Sequence, residues 1–446
     1  MTTKMSLLAG AAVGVFLASG FAAQAQAKTV HHKARRGDAA TAAARAKEAE
    51  EIEYLKAQVD SLTERLNNAE AAQRQVQAQA AQAQATAQQA QAQLANEIQT
   101  IPTEVHAQVA AAVPKPRPSW ADNTSVNGRM YFDVTDLVQK KDGAKIAPSG
   151  TGFDIKRFYV GIDHKFNDTW SANVTTDVAY VSAEGLTQVY IKKAYLQAKL
   201  SDALIIRAGS ADLPWIPFVE DQYGYRFVEN TLIDRTKFGA SADWGLHALG
   251  TLPGGIISYD VAVIDGQGYK NPVRTKTMDI EGRVSAKLDD FTFALGGYTG
   301  KLGKDVQGGA PTPHTANRWD ALAVYANKRF RLGAEYFAAS NWNTVTSAAS
   351  DKSDGYSLFG SINFTPEVSA FARWDHVKPS KTLKSSETDN YYNLGLNWEP
   401  IKIVDLALVY KRDKVDDGLF STSNGTIGGA SQGTYDEVGV FGQFRW

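Results

Sequence analysis

From Asn123 onward, apolar and polar side chains change places at every step. Met130, Phe132 and Val134 alternate with Arg129, Tyr131 and Asp133, and Phe158, Val160 and Ile162 alternate with Arg157, Tyr159 and Asp163. The same period runs from Trp170 to Tyr180, from Met278 to Ala286 and from Val438 to Trp446. A period of two sends successive side chains to opposite faces of a strand. Each run lasts about 9–13 residues, whereas strands of water-soluble domains average about 5–6. Charges stand mid-run on the polar face, and aromatics gather near run ends, as at Trp170 and Tyr180 or Tyr391, Tyr392 and Trp398. A closed sheet with hydrocarbon outside and water inside accounts for all three features, because closure leaves no backbone edge unpaired in lipid. The predicted fold is an all-β transmembrane β-barrel of about sixteen antiparallel strands.

The strands begin near Asn123, Phe153, Trp170, Leu186, Leu204, Phe238, Ile256, Thr277, Phe291, Asn317, Phe330, Gly355, Val368, Tyr391, Val404 and Tyr435. Connections alternate in length. Lys165 to Asp168 and Asn363 to Pro366 read as short turns, while Lys140 to Thr151 and Lys301 to Ala316 read as long loops. Short periplasmic turns opposite long external loops give this pattern.

The leader is a different kind of chain. Only three of the 46 aromatic residues, Phe16, Phe21 and Tyr54, precede Trp120. Lys4, the apolar run Leu7 to Phe21 and the small residues Ala25 and Ala27 form the three-part pattern of a secretory signal peptide over residues 1–27. No later stretch reaches the ~18–20 apolar residues of a spanning helix. Residues 28–101 are predicted to form a coiled-coil stalk. Ile52, Leu55, Val59, Leu62, Leu66, Ala69, Val76, Ala80, Ala83, Ala87, Ala90 and Leu94 recur in steps of three and four, broken only where Gln73 makes the seam polar. That spacing is a heptad seam. From Ala71 to Ala95, Ala and Gln fill 21 of 25 positions, so this half of the seam buries little apolar area and packs more weakly. Residues 102–122 form a linker in which Pro114, Pro116 and Pro118 end the helix and stiffen the chain. The basic cluster His31 to Arg36 reads as a solvated tail. The barrel then occupies residues 123–446.

A barrel of this size encloses water. Alternation points Arg129, Arg157, Lys193, Arg207, Arg283, Arg373 and Arg445 inward as pore-lining cations, opposed by Asp133, Asp163, Asp177, Asp279, Glu281, Asp375 and Glu437. The longest strand-free stretch, Asp212 to Arg235, is too apolar for a solvated loop. It is predicted to fold into the lumen as a constriction carrying Asp212, Glu220, Asp221, Arg226, Glu229, Asp234 and Arg235. A subunit contact and an external cap are its alternatives. From Trp120 onward, 35 basic residues meet 38 acidic ones, so bulk charge imposes no ion preference.

Three stretches carry a resemblance: Arg157-Phe158-Tyr159-Val160-Gly161-Ile162-Asp163, then Ala194-Tyr195-Leu196, then Ile206-Arg207-Ala208-Gly209 leading to Pro214 and Phe218. Residues 123–446 resemble the phosphate-selective porin O/P family of outer-membrane porins, to which this chain would add an N-terminal coiled coil. The resemblance implies a trimer of sixteen-stranded barrels passing phosphate or polyphosphate along inward Arg and Lys, with Arg157 and Arg207 carried over as lumen residues. The chain departs from the family at Ser210-Ala211-Asp212, where an acid stands in place of an expected base. Phe444-Arg445-Trp446 is similar to the terminal aromatic signal read by outer-membrane assembly machinery.

Other chemistries find little support. The chain has no Cys, which removes disulfides and thiol catalysis. His164, His247, His314 and His376 stand in no metal-binding spacing, Ser241 lacks the second Gly of a nucleophile elbow, and Gly300-Lys301 lacks the rest of a P-loop. Asp416-Asp417-Gly418 reads as a turn. Neither an enzyme nor a bound cofactor or metal is expected, and a net charge of −1 argues against nucleic acid. The function expected is a porin in the outer membrane of a Gram-negative bacterium, a water-filled channel for small hydrophilic solutes or ions, with phosphate as a candidate anion. Its partners are outer-membrane lipid, two further copies of the chain and the passing solutes. The alternative is a structural protein whose periplasmic stalk spaces or tethers the membrane to the cell wall, which would make peptidoglycan a partner.

Overall fold

The computed structural model describes residues 40–100, 119–181, 186–309 and 311–446. The signal-peptide run, residues 28–39 and 101 of the expected stalk with the basic cluster His31 to Arg36, and residues 102–118 of the expected 102–122 linker lie outside the described residues. Two compact units emerge, Met1–Lys115 and Pro116–Trp446.

In the first unit, helix α1 spans Ala40–Thr100, 61 residues, about 90 Å at 1.5 Å per residue. It contains neither Gly nor Pro, and Glu70 and Arg74 pair along one face at 3.3 Å. The seam residues Leu55, Val59, Leu62, Leu66, Val76 and Leu94 are all exposed.

In the second unit, a short 3₁₀ turn at Trp120–Asn123 leads into the barrel. Its strands are β1 (Thr124–Lys141), β2 (Ala144–Lys165), β3 (Trp170–Val181), β4 (Leu186–Ser201), β5 (Leu204–Asp212), β6 (Ala242–Thr251), β7 (Ile257–Ile264) and β8 (Asp279–Leu288). They continue as β9 (Phe291–Gly300), β10 (Ala316–Ala326), β11 (Phe330–Ser340), β12 (Lys352–Asn363), β13 (Val368–Lys378), β14 (Thr388–Ile401) and β15 (Val404–Asp416). A small hairpin, β16 (Leu419–Thr422) and β17 (Gly425–Gly428), precedes the last strand, β18 (Gln432–Arg445). Fifteen strands and β18 form one closed antiparallel sheet in which β1 pairs with β18 and β18 with β15. At this seam Gly128 and Trp446 exchange both backbone hydrogen bonds, at 3.1 and 3.2 Å, and the indole lies where a Cβ on Gly128 would stand.

Outward positions such as Val126, Val174, Leu246, Leu295, Leu332, Leu394 and Leu408 are exposed and apolar, as a lipid-facing surface requires. Exposed rings at Phe166, Trp170, Phe291, Phe330, Phe364 and Trp398 ring the short-turn end, and Trp319, Tyr336 and Tyr392 stand nearer the other. Tyr391 departs from the girdle read in the sequence. It points inward and is fully buried, because alternation turns it opposite to its neighbour Tyr392. The side chain of Tyr180 lies outside the described residues.

Three of the short turns use one device. Asn167 Oδ1 accepts from the backbone N–H of Thr169 and Trp170, Asn327 Oδ1 from Arg329 and Phe330, and Thr365 Oγ1 from Glu367 and Val368. A short polar side chain closing on its own backbone reverses the chain within four residues. At the opposite end, the stretch Lys140 to Thr151 is not the long loop expected. Strands β1 and β2 continue past the barrel rim to a two-residue turn at Asp142-Gly143 (φ 48° and 85°), the left-handed pair favoured in tight hairpins. Asp142 reaches across the rim to accept from the backbone N–H of Ala430, Ser431 and Gln432 at 2.9, 2.7 and 3.2 Å.

Candidate functional site: the lumen and its infolded loops

The segment between β5 and β6 folds into the barrel. It forms α2 (Ile216–Tyr223), which Gly224 ends in a left-handed conformation (φ 81°), and the single turn α3 (Leu232–Arg235). Trp215, Ile216, Val228, Leu232 and Ile233 are all 0% exposed. Their partners are unusual for a water-filled lumen. Strands β10 to β15 turn Leu322, Val324, Phe337, Phe359, Phe371 and Val409 inward, and these form one apolar cluster with the loop. The loop therefore lies on an apolar floor, which is why a segment this hydrophobic leaves solvent.

Two buried charge clusters fix it there. Near its start, Trp215 donates its backbone N–H to Glu281 at 3.2 Å and its indole N–H to Glu335 at 2.9 Å. Arg318 joins the same layer through Asp320 at 2.8 Å, Glu281 at 3.3 Å and the Phe238 carbonyl at 2.5 Å. Near its end, the Arg235 guanidinium donates to Asp375, Asp413 and Asp389 at 2.9, 3.0 and 2.6 Å, with every side chain 0% exposed. Arg373 grips Asp375 through two nitrogens at 2.8 and 2.6 Å and donates to the Asn230 carbonyl at 2.6 Å.

These contacts correct two sequence expectations. Arg373 points inward but is sealed beneath the loop instead of lining water, because Asp375 and the Asn230 carbonyl take up its donors. Arg235 belongs to the loop but contributes no charge to a constriction, because its guanidinium is spent on three carboxylates behind it.

A second infolded element was not legible in the sequence. The β16–β17 hairpin turns inward: Ser423 donates its backbone N–H to the Arg235 carbonyl and its hydroxyl to Glu229, both at 2.8 Å. Gln139 on β1 donates to the Thr426 carbonyl at 2.9 Å, and Phe420 and Ile427 are buried. Lys411 beneath it pairs with Glu437 at 2.5 Å and Glu229 at 3.4 Å.

Between them the loop and hairpin cover β8 to β15 and part of β18 and β1. The open space lies along β1 to β5. An outer cavity of about 1200 Å³ is lined by Lys156, Arg157, Tyr159, Lys192, Arg226, Asp234 and Lys270, with Ser423 and Asn424 of the hairpin. A second cavity of about 800 Å³, at the short-turn end, is lined by Asp163, Asn173, Tyr195 and Gln197. The strand stretches between the two linings carry Arg129, whose guanidinium donates to Tyr131 at 3.1 Å, and Lys193, paired with Asp212 at 3.0 Å.

The remaining candidates fall as follows. Arg157 faces Asp177 at 3.6 Å, and Arg207 donates to Gln197 at 2.8 Å over the Tyr195 ring. Arg283 donates to the Pro214 carbonyl at 2.7 Å and covers Phe218, while Arg445 reaches Asp405 at 3.1 Å near the short turns. On the loop, Arg226 ties Glu220 at 2.5 Å to Asp234 at 3.3 Å, and Glu229 serves the hairpin. Asp221 follows Glu220 on α2.

Lys156 and Lys192 were missed by strict alternation. In the β1–β2 register Tyr131 faces Arg157 and Phe132 faces Ile155, leaving Lys156 as an extra residue. In β3–β4, Thr175 faces Lys193 and Thr176 faces Ile191, leaving Lys192 extra. Each is a β-bulge, which shifts the alternation by one residue. The signal was present, since two adjacent cations sit between apolar residues in Ile155-Lys156-Arg157-Phe158 and Ile191-Lys192-Lys193-Ala194. Among the described residues no group of His, Cys, Asp and Glu is placed to hold a metal ion.

No family model matches the sequence, and no curated protein matches it. Among solved structures, the barrel superposes on an anion-selective porin from Comamonas acidovorans with a TM-score of 0.54 at 12% identity, over 72% of this chain and 99% of that one. It also superposes on the outer membrane channel DcaP of Acinetobacter baumannii with a TM-score of 0.51 at 10% identity, over 72% of this chain and 97% of that one. At such identities the likeness is one of fold.

Proposed function

We propose that this chain is an outer-membrane porin, a water-filled channel through which small hydrophilic solutes or ions diffuse passively, with anions such as phosphate preferred. The observation that carries the reading is the eccentric lumen: two polar cavities follow the β1–β5 wall, while a fixed loop fills the opposite side. A lumen filled from wall to wall by side chains would suit a purely structural barrel; a polar cavity large enough for hydrated solutes suits diffusion. The lumen cations Arg129, Arg157, Lys193 and Arg207 stand along this path and support the anion preference, and Glu220, Asp221 and Asp234 of the loop face them as the narrowing element. Trimers in the outer membrane, with residues 28–101 as a periplasmic stalk following a cleaved 1–27 leader, complete the proposal. The test is conductance in a planar bilayer with a salt gradient. Discrete open channels with a chloride-directed reversal potential are expected, and purified protein that inserts without conducting overturns it.

One observation favours a second, compatible role. Helix α1 offers a 61-residue rod whose seam is exposed from Leu55 to Leu94. Paired in register with other copies, it would space the outer membrane from the peptidoglycan layer. Removing residues 39–101 should leave conductance intact and loosen outer-membrane attachment; unchanged attachment removes the tether.

A further inference from the structure

We infer that the two β-bulges, at Lys156 in β2 and Lys192 in β4, are the device that sets the channel's charge preference, which makes these two lysines its specificity-determining residues. The inference rests on the pore reading and goes beyond it by naming residues that regular strand geometry would exclude.

A strand that crosses lipid can keep only every second side chain in the lumen. Two adjacent cations therefore present a conflict: one of them would face hydrocarbon, which disfavours a charge most strongly near the midplane. Here both members of each pair turn inward. Ile155 and Ile191, which precede the pairs, stay on the outer face at 45% exposure, and Ile162 and Leu196, which follow them, stay there at 44% and 45%. The bulge resets the phase, so the apolar outer face continues on both sides while the lumen gains one extra lysine per strand. Each gained lysine is an addition to the set that alternation already supplies.

Both lysines also differ from the inward cations of the covered wall. Among the described residues neither has a carboxylate within salt-bridge distance. Lys156 donates to the Val228 carbonyl at 2.9 Å. Lys192 is 9% exposed, with its ammonium 4.7 Å from the Tyr159 ring and 3.4 Å from the hydroxyl. Carbonyl and ring partners hold an ammonium in place without cancelling its charge, whereas carboxylates cancel it. Both lysines line the outer cavity. Two ammonium groups with no carboxylate in direct contact, in a cleft that also holds Asp133, Glu229 and Glu437, shift its field toward small anions.

The experiment uses the full chain in planar bilayers under a potassium chloride gradient. Replacing both residues, Lys156→Gln with Lys192→Gln, keeps side-chain length near native and removes only charge. The chloride-to-potassium permeability ratio is expected to fall by about threefold or more. Arginine at both positions should restore it. Lys414→Gln serves as the control, because Lys414 alternates with the buried inward residues of β15 and pairs with Asp416 at 2.9 Å; its ratio should stay unchanged. If the double variant fails to insert, Lys192→Gln alone decides, with a fall of about 1.5-fold expected. A conducting variant with an unaltered ratio overturns the bulge assignment and leaves the pore standing. Unsubstituted protein that inserts and never conducts overturns the pore reading instead.

Discussion

The two walls of this lumen carry the same kinds of charged residue and give them opposite fates. On the covered wall, β8 to β15, Arg235, Arg318 and Arg373 are each matched to carboxylates and sealed from water. On the open wall, β1 to β5, Lys156, Lys192 and Arg207 hold their positions through carbonyl, ring and amide partners. Inward aromatic residues explain the division. Phe337, Phe359 and Phe371 give the covered wall a surface on which an apolar loop can settle, and once it settles, every charge beneath it needs a partner. The open wall has no such floor, so its cations stay beside water. An inward charge is thus a lock in one place and part of a path in the other.

The largest way to break this contrast is Arg235→Ala. Three buried carboxylates would lose their shared cation, and a loss of about 3–5 kcal/mol is expected, read as a lower unfolding temperature together with noisier single channels. A variant as stable as the parent would mean that the covered wall is not locked by charge. Trp215→Phe is smaller: it removes the indole N–H from Glu335 while keeping a ring, and should cost about 1–3 kcal/mol in the same melting experiment, with little change in ion preference. On the open wall, Asp212→Asn frees Lys193 from the one carboxylate it pairs with among the described residues. The chloride-to-potassium ratio should then rise by about twofold; a fall would show that Lys193 does not face the path. The smallest effect belongs to the rim. The backbone N–H groups of Ser431, Ala430 and Gln432 hold the Asp142 carboxyl well below the usual carboxylate range. A depressed value means that the contact is at full strength above about pH 4 and weakens only as the pH drops toward the folded value. Near neutral pH, Asp142→Asn should speed hydrogen exchange at Ala430 and Ser431 and leave conductance alone; unaltered exchange would dismiss the latch.

The barrel was legible in the sequence because lipid enforces a strict rule. Outward positions in lipid are apolar, so Phe158, Val160 and Ile162 or Val438 and Val440 declare their face, and most strand starts followed, though β2 begins at Ala144, ahead of the expected Phe153, and β6 at Ala242, beyond the expected Phe238. What escaped was whatever breaks a local period. Lys156 and Lys192 occupy bulges, where alternation changes phase, although the adjacent cations at each site marked the spot. The inward turn of Asp212 to Arg235 could be read from its apolarity, but the sealing of Arg235 depends on carboxylates 140 and more positions away, at Asp375, Asp389 and Asp413, and that of Arg373 on the Asn230 carbonyl 143 positions away, which no local pattern links. The β16–β17 hairpin is short and polar at its tip, so nothing in Ser423 or Asn424 distinguishes it from an external turn.

The seam between β1 and β18 sets the order of events in building this molecule. Thr135 meets Glu437 across an interval of 302 positions, so β1 must wait, one edge unpaired, until nearly every other strand has been placed. Contacts of such separation form late and slowly. Gly128 leaves a socket that the Trp446 indole fills, so the seam carries its own shape check. A larger residue at Gly128 would act on the yield of sealed barrels and leave the properties of those that do close nearly untouched.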